Sequence, residues 1–104
     1  MTFSSVTTLD QIPPGTAIGT VVDGAEVVIA NCAGTLHALD NVCSHAYAHL
    51  HEGELDEDDC TITCPLHGAV FSLETGKPRT LPAVRPVAVY AVQLVGDDVQ
   101  VAVR

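Results

Sequence analysis

Two short segments of this chain each pair a cysteine with a histidine: Cys43-Ser44-His45 and, eighteen residues further on, Cys64-Pro65-Leu66-His67. Each segment offers one thiolate and one imidazole, the donor types that hold transition metals. A single zinc ion accepts two cysteines and two histidines, but zinc ligands within one loop usually lie about two to four residues apart. The one residue between Cys43 and His45 makes a tight chelate around a single ion. A two-iron cluster relaxes that demand, because each loop then gives its cysteine to one iron and its histidine to the other. On these four residues alone, both centres stay open.

The other two cysteines, Cys32 and Cys60, have no histidine at such spacing. The chain has only four cysteines in 104 residues and begins without the basic start and apolar core of a secretion signal. Cys32 and Cys60 are therefore read as inert buried thiols, Cys60 facing inward on a short strand, and the protein as cytoplasmic. No apolar stretch approaches the roughly 20 residues of a membrane span. The formal net charge of −9, with four basic residues, argues against nucleic acid and against anionic membranes. It suits encounters with basic patches on other proteins. The acidic run Glu52, Glu54, Asp56, Glu57, Asp58 and Asp59 lies between the two ligand segments and is either a solvated loop or a docking surface.

Strand signals dominate the two ends of the chain. Glu26–Cys32 is a β-branched run bounded by Gly24 and Gly34, with Thr35–Asp40 as its hairpin partner. Thr16–Val22 and Phe3–Thr8 are further strands, separated by the turn Ile12-Pro13-Pro14-Gly15. Pro86–Val95 and Val99–Val103 form a hairpin across Gly96-Asp97-Asp98. At 104 residues the chain is expected to be one domain. It reads as all-β: an antiparallel sandwich or barrel base from residues 1–40 and 83–104, with a loop-rich, cluster-binding lobe inserted at about 41–82.

The ligand segments sit in a wider pattern: Cys43-Ser44-His45-Ala46, Glu52-Gly53-Glu54-Leu55, Cys64-Pro65-Leu66-His67-Gly68, Phe71-Ser72-Leu73-Glu74-Thr75-Gly76, then Leu81-Pro82-Ala83 and Pro86-Val87-Ala88-Val89-Tyr90. From about Asn41 to the C-terminus this resembles the Rieske-type ferredoxins. The resemblance implies a Rieske-type fold and one [2Fe–2S] cluster held by Cys43, His45, Cys64 and His67. It implies a one-electron carrier rather than an enzyme. Its partners would be a flavin-dependent NAD(P)H reductase and the terminal oxygenase of an aromatic-ring-hydroxylating dioxygenase. A small Rieske-like subunit of a nitrite reductase and a zinc-bound interaction module are the alternatives.

The same resemblance bears on the redox potential. Where respiratory Rieske proteins carry a second pair of cysteines, bridged over the cluster, this chain has Ala48 and Leu66, and in place of their sulfide-bonding serine it has Ala69. Fewer hydrogen bonds to the sulfurs lower the potential within the Rieske range of about −150 to +300 mV. Imidazole ligation also implies a potential that falls as pH rises through the ionisation of the oxidised form.

Gly53, Gly68 and Gly76 are expected to allow close approach or unusual backbone angles, and Pro65 to stiffen the second ligand segment. Leu81-Pro82-Ala83 is expected to cover the cluster, with Leu66 and Phe71 as packing residues. His37, His49 and His51 lack a partner at ligand spacing and read as ordinary histidines.

Overall fold

A computed structural model describes residues 2–44, 48–66, 68–79 and 85–103. The β-branched runs at both ends become the strands of one six-stranded sheet: β1 (Ser4–Thr8), β2 (Ala17–Val22), β3 (Ala25–Cys32), β4 (Thr35–Asp40), β8 (Val89–Val95) and β9 (Asp98–Ala102). They run in the order β1-β9-β8-β4-β3-β2, every pair antiparallel. The two edge strands β1 and β2 come into contact, so the sheet almost closes on itself and leaves little unpaired edge. Three of its hairpins turn on two residues each. Asp23-Gly24 and Ala33-Gly34 both have positive φ at both positions, the turn geometry that matches the twist of paired strands.

Strand β3 carries an unbroken apolar run, Val27–Ala30, rather than an alternating pattern. Val27 and Ile29 point into the barrel with Ile12, Ala38, Val99 and Val101. Val28, Ala30 and Cys32 point the other way, into a second core shared with the lobe. A strand buried on both faces favours apolar residues at successive positions, and the buried polar Asn31 is satisfied by bonds to the Ile12 carbonyl and the Gly34 N–H.

That second core is the foundation of the site. It joins Val28, Ala30 and Leu39 of the barrel to Leu50, Ile62, Phe71 and Leu73 of the lobe, and it includes Cys43 and Cys64. The lobe has a sheet of its own, β5 (Leu55–Asp56), β6 (Thr61–Thr63) and β7 (Val70–Ser72), in the order β5-β6-β7. Such short strands are marginal alone and depend on the packing beneath them. Gly53 is needed where β6 passes the lobe's entry: an added Cβ would lie 1.6 Å from the Thr63 carbonyl oxygen.

The C-terminal hairpin departs from the sequence expectation at its ends. The first strand starts at Val89 rather than Pro86, as proline cannot donate to the ladder, and Asp98 belongs to β9, leaving a two-residue turn at Gly96-Asp97. None of the helices among the described residues is long and apolar enough to cross a membrane.

Candidate metal centre

Cys43 follows the end of β4 and Cys64 follows β6, so each sits where a strand leaves its sheet. Both are buried, at 5% and 1% exposure, in the same core. The two segments close in the same way. The Cys43 N–H donates to the carbonyl of Ala48 at 2.9 Å, and the Cys64 N–H to the carbonyl of Ala69 at 2.7 Å. Each cysteine therefore starts a loop pinned to the residue five positions on. The numbering puts His45 in the first loop and His67 in the second. Both histidines, and Leu81-Pro82-Ala83, lie outside the described residues.

Residues flanking the two cysteines share one hollow. This hollow of about 340 Å³ is lined by Ala48, His49 and Glu52 from the first side and Pro65 and Leu66 from the second. Leu66 is 57% exposed here, which corrects its reading as a packing residue: it stands at the surface beside the cysteine loop. Phe71 does pack: it is fully buried on β7, directly opposite Ile62 of β6. Two buried thiols heading matching loops on one core fit the thiolate half of a two-metal centre, and the shielded position keeps water from the sulfurs.

Cys32 and Cys60 are corrected as well. They form a disulfide, with Cα atoms 5.8 Å apart, that ties the end of β3 to the turn before β6. Cys60 is on no strand; it occupies that turn with φ +51°. The link holds Glu57, whose side chain accepts a hydrogen bond from the Ala33 N–H at 2.9 Å.

Apart from Glu52, which lines the first hollow, the acidic run lines a second hollow of about 770 Å³, where Glu54, Asp56, Glu57, Asp58 and Asp59 are joined by Arg79. Among the described residues, no group of three or more histidine, cysteine or acidic side chains is placed to hold a metal ion. The other histidines take structural roles. His49 Nε2 lies 3.0 Å from Glu26 Oε1, and His51 Nδ1 lies 2.8 Å from the Asn41 amide. His37, on β4, has its imidazole held below the usual histidine range by burial, with the Glu74 carboxylate acting against that.

Residues 2–91 match the Rieske [2Fe-2S] domain family, and the chain belongs to it. It therefore carries a [2Fe–2S] cluster, and the zinc alternative falls away. The ferredoxin subunit of 3-phenylpropionate/cinnamic acid dioxygenase from Escherichia coli K12 is 42% identical over 90 residues, covering 86% of this chain and 82% of that protein. The ferredoxin of carbazole 1,9a-dioxygenase from Nocardioides aromaticivorans IC177 is 40% identical, with a TM-score of 0.94 over 98% of both chains. A structure of the complex of reduced oxygenase and oxidized ferredoxin in carbazole 1,9a-dioxygenase contains a chain 32% identical, with a TM-score of 0.88, covering 96% of this chain and 92% of that one. The small subunit of a putative nitrite reductase from Mycobacterium tuberculosis shares the fold at 24% identity and a TM-score of 0.85, covering 96% of this chain and 93% of that one.

Proposed function

We propose that this chain is a single-domain ferredoxin that carries one electron at a time from a flavin-dependent NAD(P)H reductase to the terminal oxygenase of a ring-hydroxylating dioxygenase. The observation that carries the proposal is the pair of matching cysteine loops on one buried core, in a chain 40% identical throughout to a dioxygenase ferredoxin. Cys43 and Cys64 supply the thiolates, and His45 and His67 the imidazoles. The cluster, when bound, supplies a one-electron couple. Everything else is the protein's contribution.

Leu50, Ile62 and Phe71 wall off the cysteines on the inside, which keeps the surroundings dry. Pro65 and Leu66 form the exposed rim by which the second loop meets a partner. The acidic hollow offers a long-range attraction for basic partners without lying on that rim. The test is reconstitution: with a reductase and oxygenase of this class, the chain restores NAD(P)H-driven product formation. Its omission, or replacement by protein lacking the cluster, abolishes turnover.

Two consequences are measurable. Electron transfer from the reductase slows as ionic strength rises from low salt to about 0.5 M, since the Debye length shrinks below about 5 Å over that range. Neutralising Asp56, Glu57, Asp58 and Asp59 to amides removes most of that slope; a rate indifferent to salt contradicts steering by the acidic hollow. The midpoint potential lies toward the low end of the Rieske range, below about +150 mV. Ala69 is fully buried and has no hydroxyl to donate to a sulfide, and Ala48 has none either. A potentiometric midpoint well above that value contradicts this reasoning.

A further inference from the structure

We propose that Asn41 and His51, seated in the space left by Gly19, form a clasp that positions the first ligand loop. The inference rests on the ligand assignment above and adds three residues to it.

Asn41 ends just past β4 and is a polar side chain only 3% exposed. Its backbone bonds in both directions: the N–H donates to Glu26 O at 2.9 Å, and the carbonyl accepts the Leu50 N–H at 2.7 Å. Its side-chain Oδ1 accepts the His51 N–H at 2.9 Å, and its Nδ2 lies 2.8 Å from His51 Nδ1. A backbone N–H can only donate, so the amide oxygen must face it. Nδ2 is then left to donate to His51 Nδ1, which fixes the ring as the tautomer with its proton on Nε2.

These bonds continue a ladder. Cys43 bonds to Ala48, Val42 bridges to His49, and Asn41 grips Leu50 and His51. The two ends of the loop that contains His45 are thus drawn together rung by rung, and the Asn41–His51 pair is the last rung. A buried amide with both its polar atoms satisfied gives a rigid base, and burial makes its loss costly.

Gly19 is an independent observation. Glycine weakens a strand interior and commonly marks close approach by another group. Here a Cβ would fall 2.6 Å from His51 Nδ1 and 2.8 Å from Asn41 Nδ2. Strand β2 therefore runs against the clasp and leaves no room for a methyl group.

The test uses purified, cluster-loaded protein and follows bleaching of the visible bands by an iron chelator, together with the EPR g values of the reduced form. Asn41→Ala removes both side-chain bonds, and Gly19→Ala crowds them. Each is expected to bleach about tenfold faster than the parent, the equivalent of one or two lost hydrogen bonds, with displaced g values. Asn41→Asp keeps an oxygen for the His51 N–H and a second for His51 with its ring proton moved to Nδ1. It is expected to return to within roughly twofold of the parent rate. Val101→Ala, a cavity in the barrel core away from the loop, controls for general loss of stability and is expected to leave the g values unchanged.

Asn41→Ala protein with parental g values and bleaching rate overturns the clasp. So does a Val101→Ala control that shifts both as much. Failure of the ligand assignment reads differently: His45→Ala protein would then keep its cluster spectra, whatever the Asn41 variants do.

Discussion

Replacing Cys32 and Cys60 together by serine is expected to cost the fold about 3–4 kcal/mol. The bond closes a loop with a sequence separation of 28. On the chain-entropy account, opening a loop of that length frees roughly that much conformational entropy in the unfolded chain. For a domain of this size the apparent melting temperature should fall by about 15–25 °C. The position makes the loss felt. The bond joins the barrel strand β3 to the turn from which β6 leaves toward Cys64, so it ties the lobe to its base. Thermal unfolding by circular dichroism checks this, and a dithiol added to the parent protein should reproduce the variant. A drop smaller than about 3 °C in both arms means that the bond does not constrain the unfolded chain.

The second large effect is all-or-none. Cys64→Ala protein, purified without oxygen, is expected to contain only background iron and to lack the visible bands. The thiol it removes is 1% exposed among Ile62, Ala69 and Phe71, and the cysteine four residues before it, Cys60, is committed to the disulfide with Cys32. Short strands such as β5, β6 and β7 need support beyond their own pairing. Loss of the cluster should therefore loosen the lobe and leave the barrel's circular dichroism largely in place. The Cys32/Cys60 double-serine protein should keep its iron. The two pairs of cysteines are thus separable: one sets stability, the other the redox centre. A Cys64→Ala protein that retains parental iron and colour removes Cys64 from the ligand set.

Much of this was legible in the chain because the relevant signals are local. The cysteine–histidine pairs are each three or four residues long, and the β-branched run of β3 is continuous. Its partner β4 spans the expected Thr35–Asp40. What escaped was non-local or short. Cys32 and Cys60 are brought together only when the β3–β4 hairpin meets the lobe's turn, and spacing carries no trace of that meeting. Strands β5, β6 and β7 have two or three residues each, too few for an alternation to register. Leu66 looked like a core residue because leucine often is one, yet apolar character alone does not decide which side faces water. His51 carries no metal-ligand spacing, so its bond to Asn41 was visible only once β4 and the turn at Leu50–Glu52 were placed side by side.

The most direct test of the central assignment is pulsed EPR of the reduced protein, reading hyperfine couplings from nitrogen bound to iron. The account predicts couplings from two imidazole nitrogens in the parent, with one set lost or replaced when His45 or His67 is substituted. A reduced cluster with no directly bound nitrogen, or one whose couplings survive both substitutions intact, would show that these loops do not share the iron pair in the way described.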